Sequence, residues 1–261
     1  MDEPPFFTRD GDAYLPGAAC RGPWDPRSLH GRLIVGLIGA RIEARHGDPD
    51  FTPARLTVDM YRLPGLDRAH VTTRVVKDGW RLKVVEAEFL SGGVPMARAS
   101  CQFLRRTPAP HGEVWSPPAW SVPAPDDIAA PSDPRDTLGG MWAVRPIVGA
   151  MGDRGPRRLW MAEVRALVEG EDLSPFARAA LAADFASPFA NAGDAGLAYI
   201  NSDVTLYLHR PPAGEWIGME VVNHHASDGV AIAECWLHDK RGAIGSASAA
   251  ALARGTKRIG A

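Results

Sequence analysis

Reactive sulfur is scarce in this chain. Cys20, Cys101 and Cys235 are its three cysteines; they lie far apart, and none forms a CxxC pair. An odd, dispersed set argues against a disulfide framework and against a cysteine zinc site. Long apolar runs are also missing. The longest, residues 33–40, falls well short of the ~20 residues that a bilayer-spanning helix needs, so no membrane insertion is expected. The first residues are acidic and proline-containing, without the basic and apolar regions of a secretory leader, and a cytoplasmic location is expected. Neither sign of charge is in excess: 29 Lys and Arg face 31 Asp and Glu, for a formal net charge of -2. Nothing in that balance suggests a nucleic-acid or anionic-membrane partner. Walker loops, Gly-x-Gly-x-x-Gly fingerprints and Gly-x-Ser-x-Gly nucleophile elbows do not occur. His224 and His225 look like a metal pair, but consecutive strand residues point to opposite faces and chelate poorly. No cofactor and no metal site is expected.

What the chain has is 261 residues with 45% hydrophobic content, enough for one large domain or two ordinary ones with a substantial core. A first strand is expected around Tyr14 and Leu15, then a helix over about residues 28–45. Leu33, Leu37, Ile38 and Ile42 recur there at helical spacing and give one apolar stripe, with Asp25 or Ser28 as candidate caps. Gly36 and Gly39 weaken that helix by roughly 1 kcal/mol each relative to Ala, which points to close packing against a sheet. Strands are expected at 54–63, 69–78, 80–90 and 94–106, separated by Pro64-Gly65, Asp78-Gly79 and Ser91-Gly92-Gly93. One helix followed by an antiparallel meander is an α+β pattern.

Residues 107–134 are rich in Pro, Ala and Asp and lack periodicity, as in a linker or a long surface crossing. The organisation expected is a unit at 1–110, a linker at 111–136 and a second unit at 137–261. The second half repeats the first. Strands are expected at 141–147 and 159–168, and a helix over 174–185 with Ser174 as N-cap and Pro175 in its first turn. Further strands follow at 199–210, 215–225, 230–239 and 243–253. Residues 56–64 (LTVDMYRLP) lie over residues 204–212 (VTLYLHRPP), an offset of about 148 residues. A period that long marks duplication of a whole domain, and edge-to-edge joining of two sheets would protect strand edges that one copy leaves open.

The stretch of 199–209 alternates. Ile200, Ser202, Val204, Leu206 and Leu208 are expected on one face, and Asn201, Asp203, Thr205, Tyr207 and His209 on the other. The polar face would line either water or a polar site.

Taken together, Tyr199-Ile-Asn-Ser-Asp-Val-Thr-Leu-Tyr-Leu-His-Arg-Pro-Pro212, Gly214-Glu-Trp216, Asp228-Gly229, Asp239-Lys-Arg-Gly242 and the run from Trp24 to Gly31 resemble the double-hotdog acyl-CoA thioesterases, the type II or medium-chain acyl-CoA thioesterase-like family. The resemblance implies an α+β double hotdog, two helix-wrapped antiparallel sheets joined into one. It implies an acyl-CoA or other acyl-thioester as partner, thioester hydrolysis in lipid metabolism, and a homo-oligomer. The family's helix Asp corresponds to Asp184, the expected general base. Its Thr, two residues before Asp203, corresponds to Asn201, which can still position water. Thr205 is expected to support that strand face. Asp203, His209 and Arg210 carry the strand signature and are taken as substrate-binding, with His209 and Arg210 toward the nucleotide end of CoA. His30 and Gly31 stand where the backbone N–H groups of a helix start would face the thioester carbonyl. The family's Gln falls on Ala250, which cannot do that work, and Gln102 of the first half is one residue off register. Two alternatives stay open: an acyl-thioester-binding protein without turnover, and an enoyl-CoA hydratase or dehydratase using the Asp-x4-His pair Asp25 and His30. Glu43 is a candidate base for the other hotdog or simply part of a polar helix end.

Overall fold

The computed structural model describes residues 3–23, 25–131 and 140–254. Trp24 and residues 132–136 of the expected linker lie outside them. The chain opens with a hairpin, β1 (Phe7–Asp10) and β2 (Ala13–Pro16), followed by helix α1 (Gly31–His46). The meander β3 (Phe51–Met60), β4 (Ala69–Asp78), β5 (Leu82–Ser91) and β6 (Val94–Arg105) completes the first half. The second half runs β7 (Trp142–Val148), β8 (Arg158–Glu163), α2 (Pro175–Ala183) and α3 (Ala186–Asn191). A two-residue pair follows, β9 (Ala192–Gly193) and β10 (Gly196–Leu197). Then come β11 (Tyr199–Asn201), β12 (Asp203–Leu208), β13 (Ile217–Ser227), β14 (Val230–Asp239) and β15 (Gly242–Ala253). No helix among the described residues is long and apolar enough to cross a membrane.

Helix α1 buries far more than the single stripe its sequence suggests. Ile34, Val35, Arg32 and Arg41 are buried along with Leu33, Leu37, Ile38 and Ile42. A helix that is apolar on every side needs a partner on every side. The sheet supplies one, and α2 supplies the other. The glycines face α2 rather than the sheet. A Cβ on Gly36 would lie 2.3 Å from Leu181 Cδ2, and one on Gly39 would lie 2.9 Å from the Ala180 Cβ.

The thirteen-stranded sheet is antiparallel throughout, in the order β1-β2-β4-β5-β6-β3-β12-β15-β14-β13-β8-β7, with β11 also on β15. The halves meet at β3 and β12, where Thr57 pairs with Thr205 and Val58 with Val204. The Thr57 and Thr205 hydroxyls hydrogen-bond at 3.1 Å across 148 positions of sequence, the offset of the repeat itself. A local two-fold axis therefore passes between those side chains. This is the α+β arrangement of two helix-wrapped antiparallel sheets expected for a double hotdog.

Backbone hydrogen bonds at the N-terminal hairpin also cross between the halves. The Phe6 and Phe7 amides donate to the carbonyls of Ala166 and Leu167 (both 3.0 Å), and Glu169 N–H returns to Phe7 O at 2.9 Å. The described part of the 107–131 segment is a surface crossing. Trp120 stacks on His238 with ring centroids 4.1 Å apart, and Trp160 donates its indole N–H to Pro123 O at 3.0 Å.

The helix contact yields a first prediction. Gly36→Ala should lower stability in urea denaturation by about 1–3 kcal/mol, because Leu181 is buried and cannot swing aside. The double variant Gly36→Ala/Leu181→Ala should be less destabilised than the sum of the two single changes, since the clash is removed along with the side chain.

Candidate active site

Helix α2 starts as its sequence suggests: Ser174 Oγ accepts from Ala177 N–H at 3.1 Å, and Pro175 occupies the first turn. It ends at Asp184 for a local reason. Continuing the helix would require residue 188 to donate to the Asp184 carbonyl, and Pro188 has no N–H. The chain tightens instead, with Ser187 N–H reaching Asp184 O at 3.3 Å, and α3 begins at Ala186. The break leaves Asp184 at a helix junction, 5% exposed.

The start of α1 faces that junction. Its N-cap is His30, not Asp25 or Ser28; the His30 Nδ1 accepts from the Arg32 backbone N–H at 3.3 Å. Asp25 is occupied elsewhere, accepting from the Arg27 backbone N–H at 2.8 Å and from its guanidinium. With Nδ1 an acceptor, the neutral imidazole carries its proton on Nε2. Burial and the nearby Arg32 charge push the His30 pKa down to about 3, so that neutral form holds at physiological pH. Gly31 lies directly beside the acid: a Cβ there would sit in van der Waals contact with it, 3.4 Å from Asp184 Oδ2 and 3.5 Å from Oδ1. The first turn of α1 thus lies against the carboxylate; His30 Nδ1 and His30 O take the Arg32 and Leu33 N–H groups, which leaves the Gly31 N–H as the donor nearest the acid.

The third component comes from the sheet, through a break in alternation. β15 pairs with β11 in the register Asn201↔Ala251, but with β12 in the register Thr205↔Ser248. The pairing slips by one residue at Ser202, which is a β-bulge. Beyond it, Val204, Leu206 and Leu208 are buried, and Asp203, Thr205 and Tyr207 face outward. Before it, Asn201 turns inward. Its amide donates to Asp184 Oδ1 at 2.9 Å and to Asp203 O at 3.3 Å. The bulge is stapled on both sides, by Ala250 N–H donating to Asp203 Oδ1 at 2.7 Å and by Ser202 N–H donating to Ala250 O at 3.0 Å.

These parts converge on a cavity of about 430 Å³. Gly31, His30, Asp184 and Asn201 line it together with apolar groups that include Ile34, Met60, Trp142 and Phe185. Burial raises the Asp184 pKa, while the Asn201 hydrogen bond and the Arg32 charge oppose the rise. The site thus pairs a carboxylate of enhanced basicity with a neutral imidazole N–H and the Gly31 N–H of the helix start.

Several expected site residues lie elsewhere. Thr205 faces outward and bonds to Thr57. Asp203 serves the bulge. His209 Nε2 meets Ala243 O at 2.9 Å, and Arg210 pairs with Asp239 at 2.8 Å. None of these four lines the cavity. Unbroken alternation put Thr205, Asp203 and Asn201 on one face; the bulge separates them. Ala250 is exposed and points outward as well. Its inward neighbours are Ala249 and Ala251, so the position beside Asn201 still offers no amide. Gln102 lies between the buried Cys101 and Phe103 on the outward face. Glu43 sits at the far end of α1, where Ser174 Oγ donates to it, and burial raises its pKa. Sequence reasoning missed Trp142, Phe185 and Arg32. An arginine within an otherwise apolar helix start was the visible signal for the last. No cluster of three or more potential metal ligands occurs among the described residues.

The sign of the Asp184 shift gives a test. A carboxyl whose native pKa is raised contributes stability that is fully present below its unfolded value, ~3.9, and lost as pH rises through the native pKa. Asp184→Asn should therefore melt at a higher temperature than the wild type at pH 8, with the gap shrinking toward pH 4. An equal gap at both pH values would mean that the native carboxylate carries no burial penalty.

Comparison with known proteins gives the same direction. Residues 20–110 match the family model of the acyl-CoA thioesterase N-terminal domain, and residues 107–252 match that of the acyl-CoA thioesterase C-terminal domain. No curated protein matches the chain. Among solved structures, a putative thioesterase from Novosphingobium aromaticivorans is 19% identical with a TM-score of 0.72, over 97% of this chain and 100% of that one. A hot dog fold protein of unknown function from Alicyclobacillus acidocaldarius is 15% identical with a TM-score of 0.73, over 96% of each chain. An acyl-CoA thioesterase II from Mycobacterium marinum is 14% identical with a TM-score of 0.65, over 95% of each chain. At these identities the structures speak for the fold, and the two domain models, which between them take in nearly the whole chain, carry the assignment: the chain belongs to the double-hotdog acyl-CoA thioesterase family.

Proposed function

We propose that this protein hydrolyses an acyl-CoA thioester to a carboxylic acid and free CoA, with Asp184 as general base. The observation that carries the reading is the Asp184–Asn201 hydrogen bond at 2.9 Å, inside an apolar cavity and against the start of α1. Asn201 occupies Oδ1 and so orients the carboxylate, leaving Oδ2 to accept a proton from water. The water oxygen attacks the thioester carbonyl as Asp184 takes that proton. The negative charge that develops on the carbonyl oxygen is met by the Gly31 N–H at the start of α1 and by the His30 Nε2–H. Collapse breaks the carbon–sulfur bond, and the leaving thiolate recovers the proton from Asp184. Ile34, Met60, Trp142 and Phe185 provide the apolar wall for the acyl group. The reading places the activity in the cytoplasm, the location expected from the sequence, and in a homo-oligomer, as the family resemblance implies. Thr205, Asp203, His209 and Arg210 have no part in it.

A second reading is favoured by one specific feature. The strand beside Asn201 presents Ala249 and Ala251 inward, where the resemblance implies a Gln that helps to hold the water. With that amide missing, the same cavity would bind acyl-thioesters without turning them over. The hydratase reading loses its basis because the Asp25 carboxylate is engaged by Arg27.

Thiol release from a panel of acyl-CoAs separates the two. Hydrolysis predicts release by the wild type and its loss in Asp184→Ala. It also predicts a fall on the order of 100-fold in kcat/KM for His30→Ala, the scale of one lost oxyanion donor. Because burial raises the Asp184 pKa, the rate should climb with pH to a point above the ordinary carboxylate range. Saturable binding with no release at any pH would establish the second reading.

A further inference from the structure

Behind one wall of the cavity lies a charge that the reaction scheme leaves unused. Arg32, the second residue of α1, is 0% exposed. Its Nη1 donates to both carboxylate oxygens of Glu163 on β8, at 2.6 and 2.8 Å, and Nη2 donates to Met141 O at 3.3 Å. The guanidinium carbon lies 4.0 Å from the Trp142 ring centre and 4.8 Å from that of Phe6. Trp142 completes the clamp by donating its indole N–H to Glu163 Oε1 at 2.9 Å. The indole also meets the His30 ring edge-on at 6.3 Å and lines the cavity. Taking an arginine and a glutamate fully out of water is expensive, and apolar side chains of similar volume commonly stabilise a fold as well or better. The position of the pair, one residue from the glycine that touches Asp184, gives it another use.

We propose, resting on the thioesterase reading, that Arg32 is a positioning residue: clamped by Glu163, Trp142 and Met141 O one residue from Gly31, its positive charge favours the carboxylate form of Asp184 and the neutral form of the His30 imidazole. In a water-poor site a single charge acts strongly over short distances. Burial opposes a carboxylate at Asp184, and the Arg32 charge and the Asn201 hydrogen bond counter it. The same charge adds to burial in opposing a proton on His30. One cation thus acts in opposite senses on the two groups, holding one as proton acceptor and the other as Nε2–H donor. The other titratable groups around the cavity are Tyr61 and Arg62 after β3 and Tyr199 on β11. Glu163 makes the guanidinium tolerable in the interior and offsets part of its charge; the part that remains acts on Asp184 in the sense that favours the carboxylate.

The test compares the wild type with Glu163→Gln, Arg32→Lys and the double variant Arg32→Gln/Glu163→Gln. Two readouts are followed against pH: kcat/KM for thiol release, and the 13C resonance of the Asp184 side-chain carboxyl, assigned by its loss in Asp184→Asn. The double variant substitutes a hydrogen-bonding amide pair for the ion pair, so the Asp184 midpoint should move up by about one pH unit. Glu163→Gln leaves the Arg32 charge uncompensated, and the midpoint should move down. Arg32→Lys keeps the charge and should retain the wild-type midpoint even if its rate falls. Midpoints that stay at the wild-type value, or that move the same way in Glu163→Gln and the double variant, would overturn the proposal and leave Arg32 a packing residue. Should Glu163→Gln fail to fold, the double variant decides alone, and an unmoved midpoint refutes the role. The resonance needs no turnover: displaced midpoints in a wild type that releases no thiol would refute hydrolysis while upholding the action of Arg32 on Asp184.

Discussion

The closeness of α1 and α2 is the constraint on which the site depends. Gly36 and Gly39 remove the side chains that would hold the helices apart, and Leu181 and Ala180 occupy the space. Because the helices cross antiparallel, one contact sets both ends. It brings the start of α1 to the end of α2, so Gly31 abuts Asp184, and it brings the end of α1 to the start of α2, so Glu43 meets Ser174. A wider crossing would withdraw the N–H groups of α1 from the carboxylate. The glycines that weaken α1 as an isolated helix are thus what allow its first turn to reach the acid.

The two ends of that crossing are related by the repeat but are not chemically alike. Each presents a carboxylate whose pKa burial raises. At one end Asn201 orients it, and apolar groups enclose a cavity of about 430 Å³. At the other, Glu43 is engaged by a helix-capping serine beside a smaller space of about 220 Å³ bordered by Arg41, Glu171 and Asp172. The offset that places Thr57 on Thr205 places Pro53 on Asn201, and Pro has no side-chain donor. Duplication supplied two frames, and in one of them the side chains set an amide-bound carboxylate beside an apolar cavity.

Much of the frame was legible in the sequence because it is local. The Ser174-Pro175 helix start follows short-range rules, and so does the Asp228-Gly229 turn, with φ of 50° and 79°. The repeat was visible because its strands kept their pattern. Asp184 and Asn201 came from the resemblance, and the cavity brings both together with His30 and Gly31. Asp203 and Thr205 part from Asn201 at one residue and do not line the cavity. A bulge at Ser202 arises because β15 serves β11 and β12 in different registers, a tertiary circumstance that alternation alone cannot register. Arg32 stands out in the sequence as a charge at an apolar helix start, but its burial was hidden for a similar reason: its partner Glu163 is 131 residues away.

The hydrogen bonds between Phe6, Phe7 and residues 166–169 have a consequence for how the chain is made. During synthesis Phe7 emerges about 160 residues before the backbone that it joins at Val168. Its strand can pair early with β2, yet its other contact must wait until β8 has been formed. Such a long-range closure contributes to slow folding, because the loop must be ordered before the contact rewards it. It also means that the halves are interlocked rather than strung in series: cutting within the 107–131 crossing would separate two pieces that each expose backbone groups the other normally satisfies. The repeat that makes the protein look divisible on paper is, in the folded chain, fastened at its outer margin as well as at its seam.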